Sequence, residues 1–226
     1  MMFKLSAVFF DLDGTLADTA ADLYAALCQL CSEEQQTPPP FADFRRIVSQ
    51  GSPAMLEMGF QIGPKDTIYE ELRDRLLTYY HQDIASHTSL FPETDEVLTA
   101  LAAAGIQWGI VTNKPGWLTD ALMKEMGFGA DAVCVISGDT LVRRKPDPDQ
   151  LLMACEAAQC TPRDAVYVGD ARSDVVAGKA AGVRTAAASF GYIPPHEDPN
   201  SWGADRVIAS PLELLDWLGV SPAGQP

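Results

Sequence analysis

The chain has 226 residues, and its 31 acidic side chains against 16 lysines and arginines give a formal net charge of -15 at pH 7. Such an acidic chain is a poor general partner for nucleic acids and anionic membranes, so an anionic ligand would need a bound cation or a few placed basic groups. No apolar run approaches the ~20 residues that span a bilayer, and the first residues lack the pattern of a secretion signal. Five cysteines in no evident disulfide framework favour a reducing compartment, so we expect a cytoplasmic protein.

Short apolar runs recur along the chain and predict buried parallel strands. These runs are 7–10, 108–112, 132–137, 165–169, 184–189 and 205–209. Helical patterns lie between most of them, at 92–105, 148–159, 173–182 and, after the last run, 210–219. Strands that alternate with helices predict an α/β fold, here a doubly wound, Rossmann-like parallel sheet with helices on both faces.

One segment, residues 16–88, breaks this alternation. Helical patterns occupy 19–31, 41–51 and 65–82, and no strand-like run lies between them. We therefore predict an all-helical subdomain over 16–88, inserted into a core formed by residues 1–15 and 89–226.

This organisation carries two expectations about motion. Hinges near 16–18 and 86–91 would let the inserted subdomain close over a ligand and exclude water. Residues 219–226 end the chain with small and polar residues, and we expect them to form a flexible tail.

Reactive polar residues follow three of the predicted strands. Asp11 and Asp13 come after the first strand, Thr112 and Asn113 after the second, and Asp170 after the run 165–169. Because ligands of open parallel sheets bind at the carboxyl ends of the strands, these side chains should converge although they are far apart in sequence.

Two aspartates separated by one residue repel each other, so a positive partner should lie nearby. Lys145, on a loop before a helix, could reach the same sheet edge, and a divalent cation could complete the charge balance. Ligands that are all oxygen suit a hard ion such as Mg²⁺. Phosphate is the natural anion for a site that joins Mg²⁺, a lysine, a hydroxyl and backbone N–H groups. Aspartate can act there as a covalent nucleophile, and a second aspartate as a general acid and base.

Two other motifs have simpler interpretations. The spacing of Asp11 and Asp13 also begins a calcium-binding loop, but that loop needs glycine at its sixth position and Gly14 is only fourth. Cys28 and Cys31 have the spacing of a redox or zinc motif, yet they lie in an amphipathic helical pattern without a second cysteine pair. We interpret both cysteines as packing residues.

Four segments resemble, in order and spacing, the motifs of the haloacid dehalogenase-like phosphatases. They are DLDGT at 11–15, VTN at 111–113, RRKPDP at 143–148 and GDARSD at 169–174. The helical insertion is similar to the type 1 cap of that family, and the resemblance covers essentially the whole chain. It implies a phosphomonoester hydrolase, with a Rossmann-like core, that acts on a small phosphorylated metabolite.

The resemblance also implies roles for individual residues. Asp11 would attack phosphorus and form an aspartyl-phosphate, and Asp13 would protonate the leaving oxygen and then activate water. Thr112, Asn113 and Lys145 would hold the transferring phosphoryl group.

The resemblance to this family also implies a bound magnesium ion. Its ligands would be Asp11, the main-chain carbonyl of Asp13 and Asp170, with Asp174 binding directly or through water. Asp174 also has an alternative role, since an acid there would favour the N-terminus of the helix that follows.

Within the family the chain is most similar to phosphoglycolate phosphatases. The segment FRRIVSQG makes Arg45, Arg46 and Gly51 candidates for binding the rest of the substrate, and Lys114 in VTNKP is typical of the same group. The alternative for both arginines is a solvated helix face. The stretch 190–205 is similar to the branch that dephosphorylates N-acetylmuramic acid 6-phosphate. Both substrates carry a phosphate ester and a carboxylate, so the choice between them stays open.

Other functions are compatible with parts of the pattern. A sugar phosphomutase could use the same scaffold, whereas a hydrolytic dehalogenase would not need Asp13. A phosphoacceptor signalling domain also combines an acceptor aspartate, an acidic metal site, threonine and lysine, but it is shorter and takes its acceptor from a middle strand. We expect a monomer or a homodimer.

Overall fold

A parallel sheet forms the centre of the structure, a computed structural model that describes residues 5–221. The strands are β1 (Ala7–Phe10), β2 (Ala17–Asp18), β3 (Ser89–Leu90), β4 (Gln107–Val111), β5 (Val135–Ile136), β6 (Ala165–Gly169), β7 (Arg184–Ala188) and β8 (Arg206–Ile208). Six of them form one sheet in the order β5-β4-β1-β6-β7-β8, with every neighbouring pair parallel. The predicted tail 219–226 lies mostly outside the described residues, which end at residue 221.

Helices cover both faces of this sheet. The helices are α1 (Ala20–Glu33), α2 (Phe41–Arg45), α3 (Ser52–Phe60), α4 (Tyr69–Gln82), α5 (Thr94–Ala103), α6 (Gly116–Met126), α7 (Asp149–Ala157), α8 (Arg172–Ala181) and α9 (Leu212–Leu218). In β1, Val8 and Phe10 pack with α5, α6 and α9, while Ala7 and Phe9 pack with α7 and α8. Because both faces are buried, the strand is a continuous apolar run, and the predicted α/β fold is confirmed.

Two elements of the sheet layer differ from the prediction. The strand predicted at 132–137 is regular only over Val135–Ile136, because β5 lies at the sheet edge and pairs on one side only. Helix α6 is not predicted, since the Pro115–Gly116 pair at its start is typical of a turn. Its buried residues Leu118 and Leu122 nevertheless have helical spacing.

The inserted helices α1 to α4 lie between β2 and β3, which pair antiparallel with each other. The chain therefore enters and leaves this helical unit, called the cap below, through one short ribbon. Residues 41–51, predicted as one helix, form α2 and then a short 3₁₀ turn, Val48–Gln50, that ends at Gly51. Gly51 has φ of +77°, a conformation that favours glycine, and α3 begins directly after it.

The apolar residues of the cap and those on one sheet face form a continuous core. Leu27 and Leu30 of α1 and Leu76 of α4 are fully buried within it. All five cysteines are free thiols, with Cys31 buried in this core. No helix among residues 5–221 combines the length and the apolar character needed to cross a membrane.

The central position of β1 makes a prediction about stability. Phe9 is fully buried between β4 and β6, so Phe9→Ala should lower the free energy of unfolding by about 3–5 kcal/mol through a cavity that cannot collapse. Urea unfolding measures this loss. The control is Leu152→Ala on the outer side of α7, where the side chain is 39% exposed and the loss should be small. Equal losses in the two variants would contradict the described core.

Candidate active site

Three buried carboxylates meet at the carboxyl edge of the sheet. Asp11 follows β1, Asp170 follows β6, and Asp174 lies in the first turn of α8. One carboxylate oxygen from each lies within 4.8 Å of the others. Asp174 has the alternative role at the start of a helix, because its Oδ2 accepts a hydrogen bond from the backbone N–H of Ala171 at the start of α8 (2.9 Å). Its role as a metal ligand stays a prediction that its place in the cluster permits. The parallel topology thus brings together residues that are more than 150 positions apart.

Lys145 lies against two of these carboxylates. Its Nζ is 3.0 Å from Asp11 Oδ2 and 2.8 Å from Asp174 Oδ1, and only 1% of its side chain is exposed. It also donates to the Val111 carbonyl (3.2 Å) and to the Tyr167 hydroxyl (2.7 Å). Burial alone would lower the pKa of Lys145, but the two carboxylates raise it above its ordinary value. Lys145 is therefore a fixed positive charge inside the site.

Lys145 alone does not balance the negative charge of the three clustered carboxylates. The pKa of Asp11 is raised to about 6, mainly by burial and also by the nearby Asp174 and Asp13, while Lys145 opposes this rise. Burial, followed by Asp11 and Asp174, raises the pKa of Asp170 well above its usual range. These shifts come from carboxylates crowded together out of water, which is the environment that a divalent cation relieves. With oxygen ligands only, the cluster fits Mg²⁺.

Asp13 has its own cationic partner. Its Oδ1 accepts hydrogen bonds from Thr19 Oγ1 (2.6 Å) and Lys114 Nζ (2.9 Å). Lys114 also donates to the hydroxyl of Tyr80 in the cap (3.0 Å) and lies 4.5 Å from the centre of that ring. Burial would lower the pKa of Lys114, but Asp13 and Tyr80 raise it, so the lysine stays charged. Burial raises the pKa of Tyr80 to about 12, so this hydroxyl stays neutral.

Thr112 and Asn113 follow β4 beside this pair. Thr112 Oγ1 accepts from the backbone N–H of Lys114 (3.2 Å), and Asn113 Nδ2 donates to the Lys145 carbonyl (3.0 Å). The buried Oδ1 of Asn113 has no hydrogen-bond partner among the described residues. Gln150 joins the two loops, because it donates to the Thr112 carbonyl and accepts from the Lys145 backbone N–H (both 3.0 Å).

A cavity of ≈ 240 Å³ opens above these groups, between the core and the cap. Its floor contains the predicted residues Asp11, Asp13, Thr112, Asn113 and Lys114. Its walls come mostly from the cap and include Leu23, Val48, Ser49, Gln50, Gly51, Ser52, Pro53, Met55, Tyr69, Arg73, Leu77 and Tyr80. The cavity wall does not include Asp170, Asp174 or Lys145, which are buried at the same sheet edge.

The two predicted cap arginines do not line this cavity. Arg45 forms an ion pair with Asp18 (2.7 Å) and lies over the Tyr192 ring, and Arg46 is exposed. The arginines that line the cavity are Arg73 and Arg144. The acid on strand β2 attracts Arg45, a contact between distant segments that sequence spacing does not reveal. The assignment of Arg45 and Arg46 to substrate binding therefore stays a prediction that the geometry does not favour.

Several polar residues around the site are missing from the sequence prediction. The Tyr167 hydroxyl has one proton to donate, and it lies within hydrogen-bond distance of the Val111 carbonyl (2.8 Å) and of Asp174 Oδ1 (3.2 Å). Ser49 of the cap donates to Asp170 Oδ2 (2.6 Å). Tyr167 was detectable in principle, since a tyrosine inside an apolar strand usually places its hydroxyl on a partner. Ser49 carries no such signal, because only the folded cap brings it to the core.

The stretch 190–205 does not reach the cavity wall. Trp202 packs against Val175 and Ala187 on the core, and the backbone N–H of Tyr192 donates to Asp170 Oδ2 (2.8 Å). This stretch therefore supports the site and does not form its specificity surface.

The raised pKa of Asp11 gives a pH-dependent prediction for the metal-free protein. Its value in the folded chain is about 6 against an ordinary 3.8, so its contribution to stability is present below the ordinary value and is lost as the pH rises through about 6. In EDTA, the free energy of unfolding of the wild type should therefore fall relative to Asp11→Asn between about pH 4 and about pH 7. Urea unfolding across this range measures the difference, and Asp216→Asn, at an exposed position of α9, is the control. A difference that rises with pH would contradict the described burial.

Comparison with known proteins shows the family to which the chain belongs. The sequence profile of haloacid dehalogenase-like hydrolases matches residues 8–188. An N-acetylmuramic acid 6-phosphate phosphatase from Pseudomonas putida is 39% identical over 212 residues, which are 93% of this chain and 95% of the relative. A phosphoglycolate phosphatase from Xanthomonas campestris is 38% identical over 210 residues, with coverages of 93% and 95%.

A solved structure shares the fold. The crystal structure of a predicted phosphoglycolate phosphatase from Haemophilus somnus has a TM-score of 0.84 and covers 96% of this chain and 100% of its own, at 21% identity. At that identity the likeness supports the fold alone, whereas the curated relatives support the class of enzyme. The chain belongs to the haloacid dehalogenase-like hydrolase family and is a phosphatase of it.

Proposed function

We propose that the protein is a Mg²⁺-dependent phosphomonoester hydrolase that works through an aspartyl-phosphate on Asp11. The observation that carries the proposal is the cluster of Asp11, Asp170 and Asp174, two of which contact Lys145, beside a cavity that Asp11 and Asp13 line. A nucleophile, a second carboxylate, a fixed cation and an uncompensated acidic cluster are the parts that phosphoryl transfer requires.

Asp11, Asp170, Asp174 and the main-chain carbonyl of Asp13 would hold the ion. When bound, Mg²⁺ would offset the charge of the carboxylates and of the phosphoryl oxygens. Lys145 supplies positive charge to the site whether or not the ion is bound. Its ammonium is held within hydrogen-bond distance of the nucleophile Asp11.

In the first step an oxygen of Asp11 forms a bond to phosphorus while the bond from phosphorus to the leaving oxygen breaks. Asp13 gives its proton to that oxygen, which leaves as an alcohol. Thr19 and Lys114 fix one oxygen of Asp13. The other oxygen, Oδ2, has no hydrogen bond with the described residues, so it can carry the proton.

In the second step Asp13 takes a proton from water, and the water oxygen attacks phosphorus. The bond between phosphorus and Asp11 breaks, which releases inorganic phosphate and restores both aspartates. Thr112 accepts a hydrogen bond from the Lys114 N–H, and its own hydroxyl proton is available to a phosphoryl oxygen. The cap covers the cavity and keeps bulk water from the first step.

For the substrate, we propose a phosphorylated carboxylate with a bulky leaving group, and N-acetylmuramic acid 6-phosphate is the leading candidate. The cavity supports this choice, because Val48, Met55, Leu77 and Tyr69 give it an apolar wall that a sugar ring and its acyl group can contact. Arg73 of the cap and Arg144 of the core also line the cavity and could pair with the carboxylate.

The second candidate is 2-phosphoglycolate. It is favoured by the Xanthomonas relative, which is almost as similar to this chain as the Pseudomonas one. Glycolate is small and strongly polar, so it would leave most of the apolar wall without a partner. The cavity therefore favours the larger substrate.

The nucleophile is tested by Asp11→Asn. This variant should lose more than about a thousandfold in kcat, because an amide cannot form the acyl phosphate bond. Release of inorganic phosphate in the presence of Mg²⁺ is the measurement, and it also separates hydrolysis from a phosphomutase reaction. Asp216→Asn, at an exposed site on α9, should retain wild-type turnover. A folded Asp11→Asn protein with full activity would exclude the assignment.

The substrate is tested by comparing kcat/KM for the two candidates in one assay. We expect at least a hundredfold preference for N-acetylmuramic acid 6-phosphate, about 2.7 kcal/mol of transition-state discrimination. Leu77→Trp would fill the apolar wall and should lower kcat/KM for the sugar phosphate at least about tenfold while it spares 2-phosphoglycolate. Leu152→Trp, on the far side of α7, is the control. Preference for 2-phosphoglycolate would reverse the choice of substrate and leave the chemistry intact.

A further inference from the structure

Asp170 has an unusual set of partners for a candidate metal ligand. Its Oδ2 accepts two short hydrogen bonds, from Ser49 Oγ (2.6 Å) and from the backbone N–H of Tyr192 (2.8 Å). Its Oδ1 accepts a longer one, from Thr15 Oγ1 (3.3 Å). Ser49 belongs to the cap and lies 121 positions from Asp170 in the chain. The cap therefore donates directly to a carboxylate of the core.

The carboxylate has little room to rotate. A Cβ atom at Gly14 would lie 2.1 Å from Asp170 Oδ2, and one at Gly191 would lie 2.3 Å from the Asp170 Cβ. Asp170 itself is fully buried. Since both short hydrogen bonds go to Oδ2, Oδ1 is the oxygen left to bind a cation.

A second path connects the same carboxylate to the cap. The Tyr192 hydroxyl accepts from the backbone N–H of Thr19 (2.7 Å) and of Ala20 (3.1 Å), and it donates to Asp18 Oδ1 (2.7 Å). These three residues lie at the end of strand β2 and the start of α1. Tyr192 thus fixes the point where the chain enters the cap, while Ser49 is the contact that cap opening would break.

We propose that Ser49 is a positioning residue that couples closure of the cap to metal binding by Asp170. The inference rests on the proposed function, because it takes Asp170 as a ligand of Mg²⁺. With the cap closed, the Ser49 hydroxyl holds Asp170 in the orientation that presents Oδ1 to the ion. Coupling between two equilibria is reciprocal, so bound Mg²⁺ also favours the closed cap. Loss of a group that orients a ligand typically costs about tenfold or more in metal affinity.

The test uses the full chain and Mg²⁺ alone, without substrate. Calorimetry gives the dissociation constant for Mg²⁺, and hydrogen exchange gives the protection of the amides of Gln50 and Gly51, which bond within the turn that carries Ser49. In the wild type, Mg²⁺ should slow exchange at these amides. In Ser49→Ala the dissociation constant should rise about tenfold, and Mg²⁺ should no longer change the exchange.

Two variants separate positioning from a general effect on the cap. Ser49→Thr keeps a hydroxyl and should restore both the affinity and the Mg²⁺-dependent protection. Ser52→Ala removes a hydroxyl from the same cavity wall but not from Asp170, so both readouts should match the wild type. If Ser49→Ala binds Mg²⁺ as tightly as the wild type, or keeps the Mg²⁺-dependent protection, the coupling is excluded. A wild type that binds no Mg²⁺ would instead overturn the proposed function and the coupling with it.

Discussion

The structure depends on one electrostatic constraint: three buried aspartates and a partly buried fourth, Asp13, share a single sheet edge with two lysines. Lys145 compensates Asp11 and Asp174, and Lys114 compensates Asp13. Within residues 5–221, the hydrogen bonds to Asp170 come from uncharged donors. Like charges this close are tolerated only when each has a fixed partner, which explains why so many buried polar side chains surround the site. Asp170 is therefore the carboxylate whose charge a divalent cation would compensate most directly.

The sheet order places these charges where they are. Strand β1 is central, and its neighbours β4 and β6 end beside it, so the residues after all three strands reach one edge. Asp11 and Asp13 leave the same strand, but one joins the buried cluster and the other joins Lys114 beneath the cap. The two carboxylates with different proposed roles therefore occupy different electrostatic environments, although a single residue separates them.

Much of this arrangement is predictable from sequence because it depends on strand order and on motifs. The apolar runs predict the sheet, and the polar residues after them predict which side chains meet. The sequence does not reveal Gln150 and Ser49, whose roles depend on side-chain hydrogen bonds inside the fold. It also does not reveal that Arg45 pairs with Asp18, because this ion pair joins two separate segments of the chain. Long-range polar contacts in the cap are the part that local patterns cannot specify.

The ribbon of β2 and β3 has a consequence for the evolution of such chains. Its strands are only two residues long and lie side by side, so the ends of the cap segment are already held together by the core. Closing a loop costs free energy that grows only slowly with its length. An insertion at this point can therefore be lengthened, shortened or exchanged at little entropic expense while the catalytic sheet folds unchanged. Substrate range and chemistry can then diversify separately within one gene.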